Sequence, residues 1–152
     1  MSAYRRVLAL LSLNADAEAV AKRAAEMARF HGATLALASI VDYSPGFEVD
    51  HVPFKTPGEM RQAIVDDVAG KVDAIAAKFG GGEVIVAAAK ECEAVQDIAR
   101  SWQPDLILVS ARATHGLDGK GPQAKLPFDV LIVQPQRQGY VGRLINALSF
   151  PF

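Results

Sequence analysis

The residues from Ser110 to Gly121 form the segment of this sequence whose composition best suits ligand binding. They read Ser-Ala-Arg-Ala-Thr-His-Gly-Leu-Asp-Gly-Lys-Gly and directly follow a short apolar run. Glycines after a strand allow backbone N–H groups to converge on a phosphate group. They equally suit a tight turn, and the sequence contains neither a Walker motif nor a dinucleotide G-x-G-x-x-G pattern. The segment alone therefore leaves phosphate binding and a structural turn both open.

Other side chains with catalytic or metal-binding chemistry are scattered along the chain. The histidines are His31, His51 and His115. Their spacing is not that of metal ligands, so we expect exposed or locally hydrogen-bonded histidines and no metal site. Cys92 lies on the apolar face of a predicted helix, which favours core packing over a reactive thiol. Ser12 and Ser110 lack a G-x-S-x-G elbow. We therefore expect no catalytic residue.

Composition and charge place the chain among single-domain proteins. It has 152 residues, of which 51% are hydrophobic and 22% charged, and its net charge is -1. The concentrated basic patch of a nucleic-acid binder is missing. The first apolar run is too short for a membrane span and lacks a signal-peptide layout. We therefore expect a cytoplasmic protein that binds neither nucleic acid nor membranes and carries no cofactor.

Five short apolar runs, typical of strands buried on both faces, alternate with helical patterns. The runs are Val7–Leu11, Thr34–Val41, Val84–Ala89, Leu106–Val109 and Val130–Val133. Polar residues from Asn14 to Glu18 are capping candidates for the first helix, and Gly32 suits its end. Thr56-Pro57-Gly58-Glu59 reads as a capping box that opens the second helix. Residues 92–102 are predicted to form the third helix. Residues 1–134 are thus predicted to form one α/β domain, an open five-stranded parallel sheet with helices on both faces.

Ligands of such a sheet bind beyond the carboxyl ends of the strands, where the strand order reverses. The candidate residues for this cleft are Ser12, Val41, Ser110, Ala113, His115 and Gly116.

Several pieces of the chain, in this order and spacing, resemble the universal stress protein family over about residues 5–134. The matching pieces are Arg6–Leu11, Ala24–Leu35, Ile40–Tyr43, Pro104–Val109, His115–Leu117 and Asp129–Val133. The resemblance implies an adenine-nucleotide alpha-hydrolase-like fold with strand order 3-2-1-4-5. It also implies a homodimer and a role in stress tolerance.

The sequence departs from the ATP-binding members of that family at three points. Those members place an aspartate at the end of the first strand, where this chain has Ser12. Their phosphate loop opens with G-x-x-G and closes with Gly-Ser or Gly-Thr. Here Ala113 and Gly116 stand at the opening pair and Leu126-Pro127 at the closing pair. Residues 117–129 are also too few for both that loop and a crossover helix. We therefore expect no ATP-binding cradle.

Two classes of function remain open. The favoured one is a non-enzymatic stress-response module that acts through homodimerisation and contacts with an unknown protein partner. The alternative is a small-molecule or nucleotide sensor, or a weak nucleotide hydrolase, with an altered cleft at the carboxyl ends of strands one and four. Its support is the long loop 43–55, whose Phe47, His51 and Phe54 could cover a ligand.

The end of the chain carries two further expectations. Val130, Leu131, Ile132 and Val133 form a short apolar strand at the edge of the sheet, where a bare strand favours association. We expect the dimer to form there. Residues 135–152 are predicted to be a C-terminal apolar segment, with Tyr140, Val141, Leu144, Ile145 and Leu148 at helical spacing. So short a helix is not stable alone, so it should pack on its own domain or on a dimer partner.

Overall fold

The described part of the chain is a five-stranded parallel sheet with helices on both faces. The computed structural model describes residues 3–13, 16–41, 56–115, 117 and 127–134. Its elements are β1 (Arg6–Leu11), α1 (Ala17–His31), β2 (Thr34–Val41), α2 (Pro57–Lys78), β3 (Glu83–Ala88), α3 (Glu91–Trp102), β4 (Leu106–Ser110) and β5 (Asp129–Val133). The strand order is β3-β2-β1-β4-β5, and every neighbouring pair is parallel. The predicted fold class and strand order are confirmed.

Local sequence explains where the helices begin and end. The Thr56 hydroxyl oxygen accepts a hydrogen bond from the Glu59 N–H at 3.1 Å, as the predicted capping box requires. Gly32 closes α1 in the left-handed conformation, with φ of 64°, which glycine adopts without a Cβ penalty. At the end of α3 the left-handed residue is Gln103, with φ of 53°, and Pro104 follows it.

Two apolar cores lie on opposite faces of the sheet. On the first face, Val7, Ala9 and Leu11 pack against α1, and α2 completes the same core. On the second face, Leu8 and Leu10 belong to a core with α3. Residues 7–11 of β1 are each no more than 1% exposed. Burial on both faces is the reason that β1 reads as a continuous apolar run and not as an alternating pattern.

Strand β5 is an edge strand, as the sequence predicted. Leu131 and Val133 pack against the core of the first face, and Val130 packs against that of the second. Ile132 is 39% exposed. Of the connection 111–128 between β4 and β5, the structure describes residues 111–115, 117, 127 and 128, and these contain no helix.

Several predictions lie outside the described residues. They concern the loop 43–55, the two-part domain division with its C-terminal segment 135–152, the site residue Gly116, and the side chain of Cys92. Within the described ranges, no helix combines the length and apolar character needed to cross a membrane.

Polar side chains join the amino ends of β1, β4 and β5. The Asp105 carboxylate accepts hydrogen bonds from the backbone N–H groups of Arg5 and Arg6, at 2.8 and 3.0 Å. The Tyr4 hydroxyl donates to Asp129 Oδ2 at 2.6 Å, which ties the residues before β1 to the edge strand. This hydrogen bond, more than burial or the negative charges of Asp129 and Asp105, raises the pKa of Tyr4 above its ordinary value of 10.0.

Tyr4→Phe should lower the free energy of unfolding slightly, by less than about 1 kcal/mol near pH 7, because solvent screens this bond. A pKa raised by folding means that the Tyr4 contribution is complete below the unfolded pKa and is lost as pH rises through the folded pKa. Urea unfolding of both proteins at about pH 7 and about pH 11 measures the difference. A gap that stays the same at the higher pH would contradict the assignment.

Candidate functional site

The strand order reverses between β1 and β4. The chain passes from β1 through α1 to β2 on one side, whereas β4 and β5 lie on the other side. The carboxyl ends of β1 and β4 therefore border the crevice in which open α/β sheets bind their ligands. Ser12 directly follows β1 and Ser110 ends β4, so these two predicted site residues both lie at this crevice.

A buried hydrogen bond between Ser110 and Asp16 lies in this crevice. The Ser110 hydroxyl donates to Asp16 Oδ2 at 3.0 Å, and the two residues are 2% and 4% exposed. The Ser110 oxygen also accepts a hydrogen bond from the Arg112 backbone N–H at 3.2 Å. The hydroxyl therefore both donates and accepts within the protein, which satisfies the requirement that a buried polar group be hydrogen-bonded.

Asp16 is the site residue that the sequence analysis missed. The sequence predicted a polar cap between Asn14 and Glu18, and Asp16 does occupy the N-cap position of α1, but its side chain makes no capping hydrogen bond. The carboxylate faces Ser110 instead, and its second oxygen lies 3.7 Å from Arg112 Nη1, on a side chain that is 66% exposed. An acidic residue at this point of the sequence suits a solvated cap equally well, so only its burial reveals its role.

Ser12 and His115 form a second side-chain pair at the crevice. Ser12 Oγ lies 3.2 Å from His115 Nε2, and both residues are half-buried. The His115 backbone is left-handed, with φ of 53°, a region that non-glycine residues seldom occupy. Such backbone conformations concentrate at sites whose geometry is held by the surrounding structure. The sheet thus brings together two of the predicted site residues from distant parts of the sequence.

Four of the backbone N–H groups described at the exit of β4 donate to acceptors within the protein. Their acceptors are Val133 O for Ala111 at 3.0 Å, Ser110 Oγ for Arg112 at 3.2 Å, Ser110 O for Ala113 at 3.1 Å and Thr114 O for Leu117 at 2.9 Å. A phosphate cradle requires N–H groups that point at the ligand. Residues 110–113 therefore form a turn closed by their own hydrogen bonds, and the predicted site residue Ala113 belongs to that turn.

Val41, another predicted site residue, ends β2 and is half-buried. Its carbonyl accepts a hydrogen bond from the Ala89 N–H at 3.2 Å, so it lies one strand away from the β1–β4 crevice. Two residues earlier, the buried Ser39 hydroxyl donates to the Leu11 carbonyl at 3.1 Å and joins the carboxyl ends of β2 and β1. A serine within an otherwise apolar run was the signal that could have identified this contact.

His31 lies at the end of α1, on the opposite side of the domain from the crevice. Its ring packs edge-to-face between those of Tyr4 and Phe30, with centroids 5.0 Å away in each case. Among the described residues, there is no group of three or more His, Cys, Asp or Glu side chains that could hold a metal ion.

The crevice holds a Ser–His pair and a Ser–Asp pair. A Ser–His contact is the first requirement of nucleophilic catalysis, which also needs a group that orients the base and N–H donors for a developing oxyanion. The N–H groups of Ala111, Arg112 and Ala113 donate to internal acceptors. The described side chains thus cross-link the ends of β1 and β4 at this crevice.

Solved structures with the same fold include three universal stress proteins. One, in complex with cAMP, has 20% sequence identity and a TM-score of 0.59, over 88% of this chain and 98% of that chain. A family protein from Burkholderia pseudomallei has 20% identity and a TM-score of 0.63, with the same shares covered. One from Archaeoglobus fulgidus, in complex with dAMP, has 16% identity and a TM-score of 0.56, over 87% and 99%. At these identities the likeness establishes the fold alone.

The sequence itself matches a family model as well. The model described as "Universal stress protein family" matches residues 3–121, which is most of the chain and includes β1 to β4 and part of the segment that follows. Among curated proteins, none matches this chain. The resemblance drawn from the sequence pieces is confirmed, and the chain belongs to the universal stress protein family.

Proposed function

We propose that this chain is a stress-response module that acts through homodimerisation and contacts with a protein partner, and that it neither binds ATP nor catalyses a reaction. The observation that carries this proposal is the buried Ser110–Asp16 hydrogen bond at the β1–β4 crevice. It places a carboxylate where a phosphate-binding protein of this architecture needs positive potential.

Electrostatics oppose a phosphate group at this position. A phosphate oxygen about 5 Å from the Asp16 carboxylate would be repelled by about 3 kcal/mol at an effective dielectric constant near 20. Arg112 offsets only part of this repulsion, because its side chain is 66% exposed and lies 3.7 Å from the carboxylate. The N–H groups of Arg112, Ala113 and Leu117 already donate to acceptors within the protein. A triphosphate that used these N–H groups would have to displace those acceptors.

A second candidate function is a sensor of a smaller adenine nucleotide. Relatives of this fold were solved with cAMP and with dAMP, ligands that carry a single phosphate and need fewer donors than ATP. The observation in favour of this candidate is the half-buried Ser12–His115 pair at the crevice, which offers polar groups beside the Ser110–Asp16 bond. The two candidates differ in whether the crevice takes any nucleotide at all.

Calorimetric titration with Mg-ATP should give no binding tighter than about 10 µM, which corresponds to about −7 kcal/mol. The reason is the combination of the Asp16 carboxylate with the N–H donors already engaged at the exit of β4. Titrations with cAMP and AMP test the second candidate in the same buffer. Tighter binding of ATP would overturn the proposal. Binding of cAMP that is lost in both Ser12→Ala and His115→Ala would favour the sensor.

Asp16→Ala should lower the free energy of unfolding by about 1–3 kcal/mol, because it leaves the buried Ser110 hydroxyl without its acceptor. Arg112→Ala is the matched control. It removes another partner of the same carboxylate, yet should cost less than about 0.5 kcal/mol because the Arg112 side chain is largely exposed. Urea unfolding followed by circular dichroism measures both values. Equal losses would show that the ion pair, and not the buried hydrogen bond, holds the crevice together.

The proposed dimer rests on the position of β5 at the edge of the sheet. An apolar edge strand that is left bare pairs readily with another chain. Leu131 and Val133 are poor probes of such an interface, because both pack against the core of the first face. Ile132, at 39% exposure, is the residue of β5 that a substitution can test without opening that core.

Sedimentation analysis should give a two-subunit mass for the wild type at about 100 µM and a one-subunit mass for Ile132→Lys, because a buried lysine charge opposes association. Phe30→Lys is the control. It also replaces an exposed apolar side chain, one that is 83% exposed on α1, and should leave the dimer intact. A monomeric wild type, or a dimer that Phe30→Lys dissociates instead, would contradict an interface at β5.

A further inference from the structure

The two faces of the sheet are covered unequally by helices. On the first face, α1 contacts β1, β2, β4 and β5, and α2 contacts β2 and β3. On the second face, α3 is the helix within the described residues. Its backbone lies nearest to β2 and β3, and Trp102 at its end contacts Arg6 of β1. In that part of the chain, no helix is centred on the half of the second face formed by β1, β4 and β5.

This half of the second face is formed by aliphatic side chains. Leu8 and Ile107 are each 1% exposed, and Val109 is not exposed at all. Val130 lies beside Ile107 in the register of β4 and β5, and Ile132 lies beside Val109. A parallel strand needs cover on both faces. The described side chains that reach this half, besides those of α3, are Leu117 and Phe128.

The connection between β4 and β5 is poorly suited to supply a helix here. Its residues 111–115 form a turn that is closed by the bridge between Ser110 and Ala113. The rest of the connection contains Gly119, Gly121 and Pro122, which break helices, and a crossover helix by itself takes at least about 10–12 residues. The family match, over residues 3–121, ends within this connection.

The C-terminal segment, residues 135–152, has a composition and a length that suit it to cover the β1–β4–β5 half of the second face. It begins beyond β5, at the carboxyl edge, so to lie on the sheet it must run back antiparallel to β4 and β5, as a crossover helix does. Its apolar side chains at helical spacing, from Tyr140 to Leu148, would span about 13 Å as a helix. The five residues of β5 extend over about 17 Å.

We infer that the C-terminal segment packs in cis on the β1–β4–β5 half of the second face and replaces the crossover helix that the short β4–β5 connection cannot form. The occupant is the protein's own chain, because a link of only about six residues from Val133 to Tyr140 gives the segment a high effective concentration at this surface. Tyr140, Leu144 and Leu148 would contact Val130, and Ile132 stays at the outer edge of the sheet.

Hydrogen exchange on the unmodified protein is the first test. Backbone amides of residues 141–148 should exchange at least about a hundredfold more slowly than in an unstructured peptide. If these amides exchange at the rate of an unstructured peptide, the inference is overturned, and no variant is needed to show it.

A matched pair of variants tests the surface itself. Leu144→Asp and Asn146→Asp each add one negative charge, but to opposite sides of the predicted helix. The probe is Val130→Cys in a Cys92→Ala background, labelled with a maleimide. Leu144→Asp should accelerate the labelling by about tenfold or more, and Asn146→Asp should leave the rate unchanged. Equal effects of the two variants would overturn the inference.

The dependence on concentration separates the two possible sources of the segment. Packing in cis predicts that labelling of Val130→Cys is equally slow at about 1 µM and about 100 µM protein. Labelling that becomes fast on dilution would overturn packing in cis and assign the cover of Val130 to a second copy of the chain. The labelling result does not depend on the titration with ATP. A failure of the inferred packing is therefore distinguishable from a failure of the proposed function.

Discussion

Strands β1 and β4 lie side by side at the centre of the sheet, and apolar side chains cover both of their faces. Every residue from Val7 to Leu11, and every residue from Leu106 to Val109, is no more than 3% exposed. Central strands buried in this way leave little room for polar side chains along their length. The described polar contacts that join β1 to β4 accordingly lie at the two edges at which these strands begin and end.

The carboxyl edge holds a buried polar contact between the ends of β1 and β4. The Ser110 hydroxyl donates to Asp16, and the N–H groups of Arg112 and Ala113 donate back to the oxygen atoms of Ser110. A buried carboxylate with a hydrogen-bond donor stabilises the ends of β1 and β4 locally. Function in this architecture depends on such site residues and not on strand order.

The amino edge is held by a different set of contacts. The Arg6 guanidinium lies 4.0 Å from the centre of the Trp102 ring, and its Nε donates to the Trp102 carbonyl at 2.8 Å. Asp105 accepts from the two N–H groups that open β1. Together these contacts fix the end of α3 against β1 and β4. The sheet is thus held at both ends by contacts between distant parts of the chain.

The sequence by itself determined the fold class, the five strands and the helix boundaries, because burial on both faces, Thr56 and Gly32 leave local signals. It also placed Ser12, Ser110 and His115 at the strand ends, and family resemblance supplied the strand order. Only the tertiary structure decided which of these side chains meet. Whether Asp16 caps α1 or binds Ser110 depends on a partner 94 residues away, and no local pattern records that distance. Burial of a polar group is decided by what folds over it.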